Sequence, residues 1–149
     1  MITVGKRKVH KTLPPYVIAE AGVNHNGKLG LALKMVDAAK RAGADAVKFQ
    51  TFKASQVVTV GTSMAQYQQR NVGSTESQLS LLKRLELNES FYKKIISRCR
   101  ALGITFLSTP HGGFSSVDFL SRLGMPAFKF GSGDLTNTPV LQHTARLQK

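Results

Sequence analysis

YVIAEAGVNHNG, residues 16–27, is the stretch on which the reading of the whole chain turns. Four strand-forming residues, Tyr16, Val17, Ile18 and Ala19, run into a carboxylate, Glu20, where the strand is expected to end. A small polar loop follows, from Gly22 through Asn24, His25 and Asn26 to Gly27. At Leu29 the period changes. Leu29, Ala32, Leu33, Val36 and Ala39 recur at helical spacing and predict an amphipathic helix. A strand, a polar loop and a helix, with a charged group at the carboxyl end of the strand, is where α/β proteins place their chemistry.

Outward from this unit the pattern repeats. Three junctions share one grammar, a glycine, two residues and an apolar strand: GADAVKF at 43–49, GITFLST at 103–109 and GMPAFKF at 124–130. They predict strands at 44–50, 104–108 and 127–130. Helices are predicted at 76–85, with Leu79, Leu82 and Leu85 on one face, and at 115–123. Another starts after the N-cap Asn88 and buries Tyr92, Ile95, Ile96, Cys99 and Leu102, which makes Cys99 a core residue. A last helix begins at Asn137 or Thr138, with Pro139 in its first turn. Residues 1–13 read as a short hairpin, closed off by Pro14 and Pro15. Residues 51–75 show no clear period and read as a lid or binding loop. Four βα units in series give a parallel sheet with helices outside and right-handed crossovers.

The totals narrow the class. The 149 residues suffice for one domain with a real core, and no apolar run is long enough to cross a membrane. The amino-terminal residues lack the apolar core of a secretory signal, and the single cysteine excludes an internal disulfide, so a cytoplasmic location is expected. Net charge is +13, from 21 Lys and Arg against 8 Asp and Glu, which points to acidic partners. The basic residues are mostly scattered or lie on helical faces, and no nucleic-acid-binding signature accompanies them.

Each strand turns polar toward its carboxyl end. Glu20 closes the first. Lys48 and Gln50 share a face of the second, because strand period is two. Ser108 and Thr109 end the third. The fourth carries Lys129 and leads to Ser132 and Asp134. Two lysines in apolar strands want anions nearby, either Glu20 and Asp134 themselves or a bound phosphate or carboxylate. Gly131, Ser132 and Gly133 beside Lys129 offer backbone N–H groups to such a ligand. His25 reads equally as an acid/base or metal-ligating group and as a hydrogen-bonding loop residue. His111 is weighted toward a loop residue, and His10 and His143 toward the surface. No HxxxH or CxxC pair is present, so spacing supports no metal site.

EAGVNHNG at 20–27, GADAVKFQTF at 43–52, ESQLSLLKRLEL at 76–87, FLSTP at 106–110 and PAFKFGSGDLTN at 126–137 occur in this order. With them the chain resembles the sialic acid synthase family: N-acetylneuraminate synthases and relatives that make legionaminic and pseudaminic acids. The resemblance implies the amino-terminal half, about four of eight units, of a TIM-type (β/α)8 barrel over residues 1–149. The second half and an antifreeze-like domain are expected to lie outside this sequence. It implies a transferase that condenses phosphoenolpyruvate with N-acetylmannosamine or a related N-acylated aldose, giving a nine-carbon 2-keto acid and phosphate. It also implies a divalent metal, Mn2+ or Mg2+, whose histidine ligands would lie in the missing half, and a family habit of forming homodimers. By resemblance, Lys48, Thr109, Lys129 and Ser132 hold the phosphoenolpyruvate. Glu20 acts near the reacting carbons or the metal-bound water, with Gln50 in support, and Asp134 lies beside the sugar. Relatives often carry Glu at that last place, and the shorter Asp leaves the sugar open. Another phosphoenolpyruvate- or aldolase-type barrel, and a basic protein that binds nucleic acid or anionic surfaces, are the alternative readings. Such an incomplete chain is expected to be inactive alone.

Overall fold

A computed structural model of the chain describes residues 1–59 and 77–147. Ile2–Val4 (β1) and Arg7–Val9 (β2) pair antiparallel, with Ile2 opposite Val9 and Val4 opposite Arg7. The tight turn between them is made by Gly5, at φ 61°, and Lys6. A side chain on Gly5 would begin 2.8 Å from the Thr105 hydroxyl, so only glycine lets the turn lie this close to the sheet.

The main sheet has three parallel strands, Ile18–Gly22 (β3), Ala46–Thr51 (β4) and Thr105–Pro110 (β5), in that spatial order. Helices Leu29–Arg41 (α1) and Glu89–Leu102 (α4) pack against one face of it and against each other. The core lies there. Val47, Phe49 and Phe106 of the sheet meet Ala32, Val36 and Ala39 of α1 and Tyr92, Ile95, Ile96 and Cys99 of α4. Phe49 stacks on Phe106 with ring centres 6.0 Å apart, and Tyr92 meets Phe106 and Phe119 edge-on.

The helix ends follow local chemistry. The Asn88 side chain accepts from the Phe91 N–H at 3.0 Å and starts α4, as its sequence predicts. Gly103 ends α4 at φ 62°, a left-handed conformation that favours glycine. Four-residue Ala54–Val57 (α2) follows β4, which itself takes in Thr51, and residues 60–75 of the expected 51–75 excursion lie outside the described residues. Gln78–Leu85 (α3) starts after Ser77, whose hydroxyl accepts from the Ser80 N–H. Its buried residue is Leu81, while the predicted stripe of Leu79, Leu82 and Leu85 is only half-buried. Phe114–Arg122 (α5) and Thr138–Ala145 (α6) complete the order, with a 3-10 turn at Ser132–Asp134. None of the described helices is long and apolar enough to cross a membrane.

Two expectations need correction. Strand β5 extends past the predicted 104–108, through Thr109 and Pro110, because the His111 N–H still donates to the Thr51 carbonyl at 2.7 Å. Residues 127–130, predicted as a fourth strand, join no ladder among the described residues. Pro126 brings no N–H at the entry to this segment, and a strand exists only through its partner's hydrogen bonds.

Candidate functional site

Alternation along the strands decides which side chains can meet. Pairing sets Glu20 opposite Lys48, Lys48 opposite Leu107 and Gln50 opposite Thr109. These residues, with Ile18 and Ala46, belong to the sheet face turned away from the helices. On that face Lys48 is nearly sealed, its side chain 9% exposed. Its Nζ lies 2.5 Å from Glu20 Oε2 and donates to Thr109 Oγ1 at 3.2 Å. An ammonium has three donors, and these two partners engage two of them.

Glu20 itself is 53% exposed. It sits within β3, not at its end as the sequence suggested, because a bulge between Glu20 and Gly22 carries the strand onward. Gly22 adopts φ 53°. A side chain there would begin 3.4 Å from Glu20 Oε1 and 3.8 Å from Gln50 Nε2. The carboxylate and the amide therefore converge over a bare backbone position. The Gln50 carbonyl meanwhile accepts from the Tyr92 hydroxyl at 3.2 Å, tying this edge to the helix layer.

The other predicted residues divide. Ser108 faces the helices, where it pairs with the Thr51 hydroxyl at 2.7 Å, so Thr109 alone of that pair joins Lys48. Asp134 meets His111, with Oδ2 and Nδ1 3.5 Å apart, and not a lysine. Gly131 fits between them, since a side chain there would begin 3.3 Å from His111 Cε1. His111 is fixed through its backbone, whose carbonyl accepts from the Ser116 hydroxyl at 2.6 Å. Lys129 is exposed and has no ion-pair partner among the described residues. It borders an open hollow of about 640 Å³ with Ile18, Leu107 and Ala127. Ser132 is exposed on its 3-10 turn. Internal pairing thus serves Lys48 and leaves Lys129 open.

The histidines also sort themselves. His25 is fully buried between Phe49 and Phe91, each 6.1 Å away, and its Nδ1 accepts from the Gly27 N–H at 3.0 Å. Burial holds its pKa below the ordinary value, and Nε2 has no hydrogen-bond partner among the described residues. It is a sealed loop residue. His143, expected at the surface, is half-buried: Nε2 lies 2.6 Å from Asp118 Oδ1 and the ring meets Phe114 edge-on. His10 is exposed, beside Thr12. Among the described residues, no group of three or more His, Cys, Asp and Glu side chains could hold a metal ion.

One charged group escaped the sequence reading. Asp45 accepts from the Val17 N–H at 2.7 Å and pairs with Arg7, and these contacts hold its carboxyl below the usual range. Its place in the GAD junction before β4 was the available signal.

Comparison with known proteins adds ancestry to this geometry. A sequence model described as the NeuB family matches residues 35–149. The chain is 49% identical over 132 residues to N,N'-diacetyllegionaminic acid synthase of Legionella pneumophila, covering 87% of this chain and 36% of that protein. It is 34% identical to N-acetylneuraminate-9-phosphate synthase of Mus musculus, covering 89% of this chain and 36% of that one. Among solved structures, the N-acetylneuraminic acid (sialic acid) synthetase of Leptospira borgpetersenii, in complex with citrate, superposes with a TM-score of 0.79 at 29% identity. That match covers 98% of this chain and 46% of that one. The spore coat polysaccharide biosynthesis protein SpsE of Bacillus subtilis gives a TM-score of 0.76 at 33% identity, over 99% of this chain and 38% of the other. The chain spans less than half the length of each of these relatives.

Proposed function

This chain belongs to the NeuB family, and on that premise we propose that its polar strand ends form part of a sialic acid synthase-type active site. The reaction proposed is condensation of phosphoenolpyruvate with an N-acylated aldose such as N-acetylmannosamine. Lys48 carries this reading. It is a buried cation on the open face of a parallel sheet, held by Glu20 and Thr109 with a donor to spare.

In the proposed reaction C3 of phosphoenolpyruvate attacks the aldehyde carbon of the sugar. The new carbon–carbon bond leaves C2 electron-poor, water adds there, and the C2–O bond to phosphate breaks. The products are a nine-carbon 2-keto acid and inorganic phosphate. Lys48 and Thr109 hold the anionic end of phosphoenolpyruvate, with Lys129 and Ser132 reaching it from the neighbouring segment. Positive charge fixed in advance at this edge stabilises the anionic assembly without reorganisation. Glu20, over the bare backbone of Gly22, lies near the reacting carbons with Gln50 beside it. Asp134 stands beside the sugar. The divalent cation implied by the resemblance does not fit the described residues. Glu20 Oε2 is taken by Lys48, His25 is sealed in the helix layer, and no three candidate ligands converge.

The test is isothermal titration of phosphoenolpyruvate into the folded chain, repeated with Lys48→Ala and Lys129→Ala. Saturable binding that both substitutions abolish supports the assignment. A folded chain that binds no phosphoenolpyruvate overturns it.

A further inference from the structure

We propose that His111, with Asp134 behind it, is a general base that opens the ring of the aldose, a step that precedes condensation and needs no phosphoenolpyruvate. The inference rests on the reading above, in that it takes an aldose to be the substrate at this edge.

The ladder places the imidazole. Strand β5 ends at Pro110, yet the His111 N–H still donates to the Thr51 carbonyl at 2.7 Å. Alternation therefore sets His111 on the same face as Thr109, about 7 Å further toward the carboxyl end. Its carbonyl accepts from the Ser116 hydroxyl at 2.6 Å, which fixes the backbone. The ring rests against Gly131, where a side chain would begin 3.3 Å from Cε1. Lys48 and Thr109 thus lie below the imidazole on the open face, and the Ser132–Asp134 turn lies beside it.

The two ring nitrogens differ. Nδ1 lies 3.5 Å from Asp134 Oδ2, with the two side chains 29% and 25% exposed. A carboxylate facing Nδ1 holds the ring proton there and leaves the lone pair on Nε2. No described group engages Nε2, and the partial exposure of the ring leaves it open to a ligand. The Nδ1 contact is looser than a full hydrogen bond, the usual state of such a pair before substrate closes on it. The other histidines lack this combination. His25 is sealed, His143 spends Nε2 on Asp118, and His10 has only Thr12 beside it among the described residues.

A lone pair backed by a carboxylate takes a proton from an O–H, and the anomeric hydroxyl is the most acidic one on an aldose. Such a sugar is nearly all cyclic in water, whereas the proposed bond formation needs the free aldehyde. Nε2 takes the anomeric proton, and the electron pair of that O–H bond forms the C1=O double bond. The bond from C1 to the ring oxygen breaks, and that oxygen takes a proton from water. The proton on Nε2 then neutralises the hydroxide, and the dyad returns to its starting state.

The experiment is NMR exchange spectroscopy on the two anomers of N-acetylmannosamine, with the folded 149-residue chain, in a buffer free of phosphate and imidazole. Interconversion should speed up in proportion to chain concentration, by roughly a hundredfold or more over an equal concentration of free histidine. His111→Gln should remove the acceleration, and His10→Gln should keep it. Asp134→Asn should lower the rate by roughly tenfold or more and move the His111 ring proton from Nδ1 to Nε2, seen in the imidazole nitrogen shifts. A rate no greater than that of free histidine overturns the proposal. So does a rate unchanged in His111→Gln, and so does an Asp134→Asn chain that keeps both rate and tautomer. Phosphoenolpyruvate titration of the same sample separates the two readings. Binding without anomer exchange overturns only the present proposal, and exchange without binding supports it while sinking the phosphoenolpyruvate assignment.

Discussion

Glu20→Gln tests the ion pair on the open face most directly. It keeps the size and the hydrogen-bonding reach of the side chain and removes its charge. At 2.5 Å, an effective dielectric between 80 and 20 gives an attraction of about 2 to 7 kcal/mol. Two features pull the measurable loss to the low end. Lys48 gives up most of its hydration to be there, and Glu20 is half in water. The expected destabilisation is about 2 kcal/mol, or roughly 4–8 °C in Tm for a chain of this size. Urea unfolding with linear extrapolation measures it. Replacing both residues, Glu20→Gln with Lys48→Met, should recover most of the loss, because an apolar side chain of similar length suits the buried site. Two results refute the reasoning: Glu20→Gln within about 0.5 kcal/mol of the parent, inside the spread of ordinary surface substitutions, or a double variant no more stable than the single one. Phosphoenolpyruvate gives a second readout. With its internal counter-ion gone, Lys48 should bind the ligand more tightly in Glu20→Gln even as the fold weakens.

Removing the α4 cap with Asn88→Ala should cost about 1 kcal/mol, while Asn88→Asp should leave stability nearly unchanged, as urea unfolding would show. Burial lowers the His25 pKa, so the unfolded chain binds the extra proton and stability should fall as pH drops below the ordinary value of 6.5. His25→Gln should flatten that slope in thermal melts between pH 7 and 5. At the alkaline end burial pushes both the Cys99 thiol and the Tyr92 phenol up to about 12 from ordinary values of 9.0 and 10.0. The folded chain there holds protons that the unfolded chain has lost, so stability should decline above about pH 9. At pH 8 Cys99 should react with a disulfide reagent only at the rate of unfolding.

What was legible in the sequence is what local chemistry dictates. The 3.6-residue period found α1 and α4, the glycines marked where helices stop, and Asn88 announced its cap. Period-two alternation alone places Lys48 and Gln50 on one face, as the strand pairing has them. The failures concern relations between segments. Ser108 and Thr109 look alike in sequence, and only strand pairing sends one to the helices and the other to Lys48. Residues 127–130 have the composition of a strand but no ladder partner among the described residues. His25 sits in a loop whose polarity suggests exposure, yet Phe49 and Phe91 close over it from two other elements. The approach of Asp134 to His111 joins two loops whose spacing carries no periodic signal.

Strand β4 is tethered to its neighbourhood at two levels, just before its first residue and midway along it. Below it, Asp45 grips Arg7 and the Val17 N–H, and above, Lys48 grips Glu20 and Thr109. Sliding β4 by two residues would keep every side chain on its proper face, so burial alone discriminates weakly against that error. It would part both sets of contacts at once. The two carboxylates therefore act as a vernier, reading the height of one strand against the next at two separate levels. The level at which the Lys48 ammonium meets the open face is set as much by Asp45 as by Glu20.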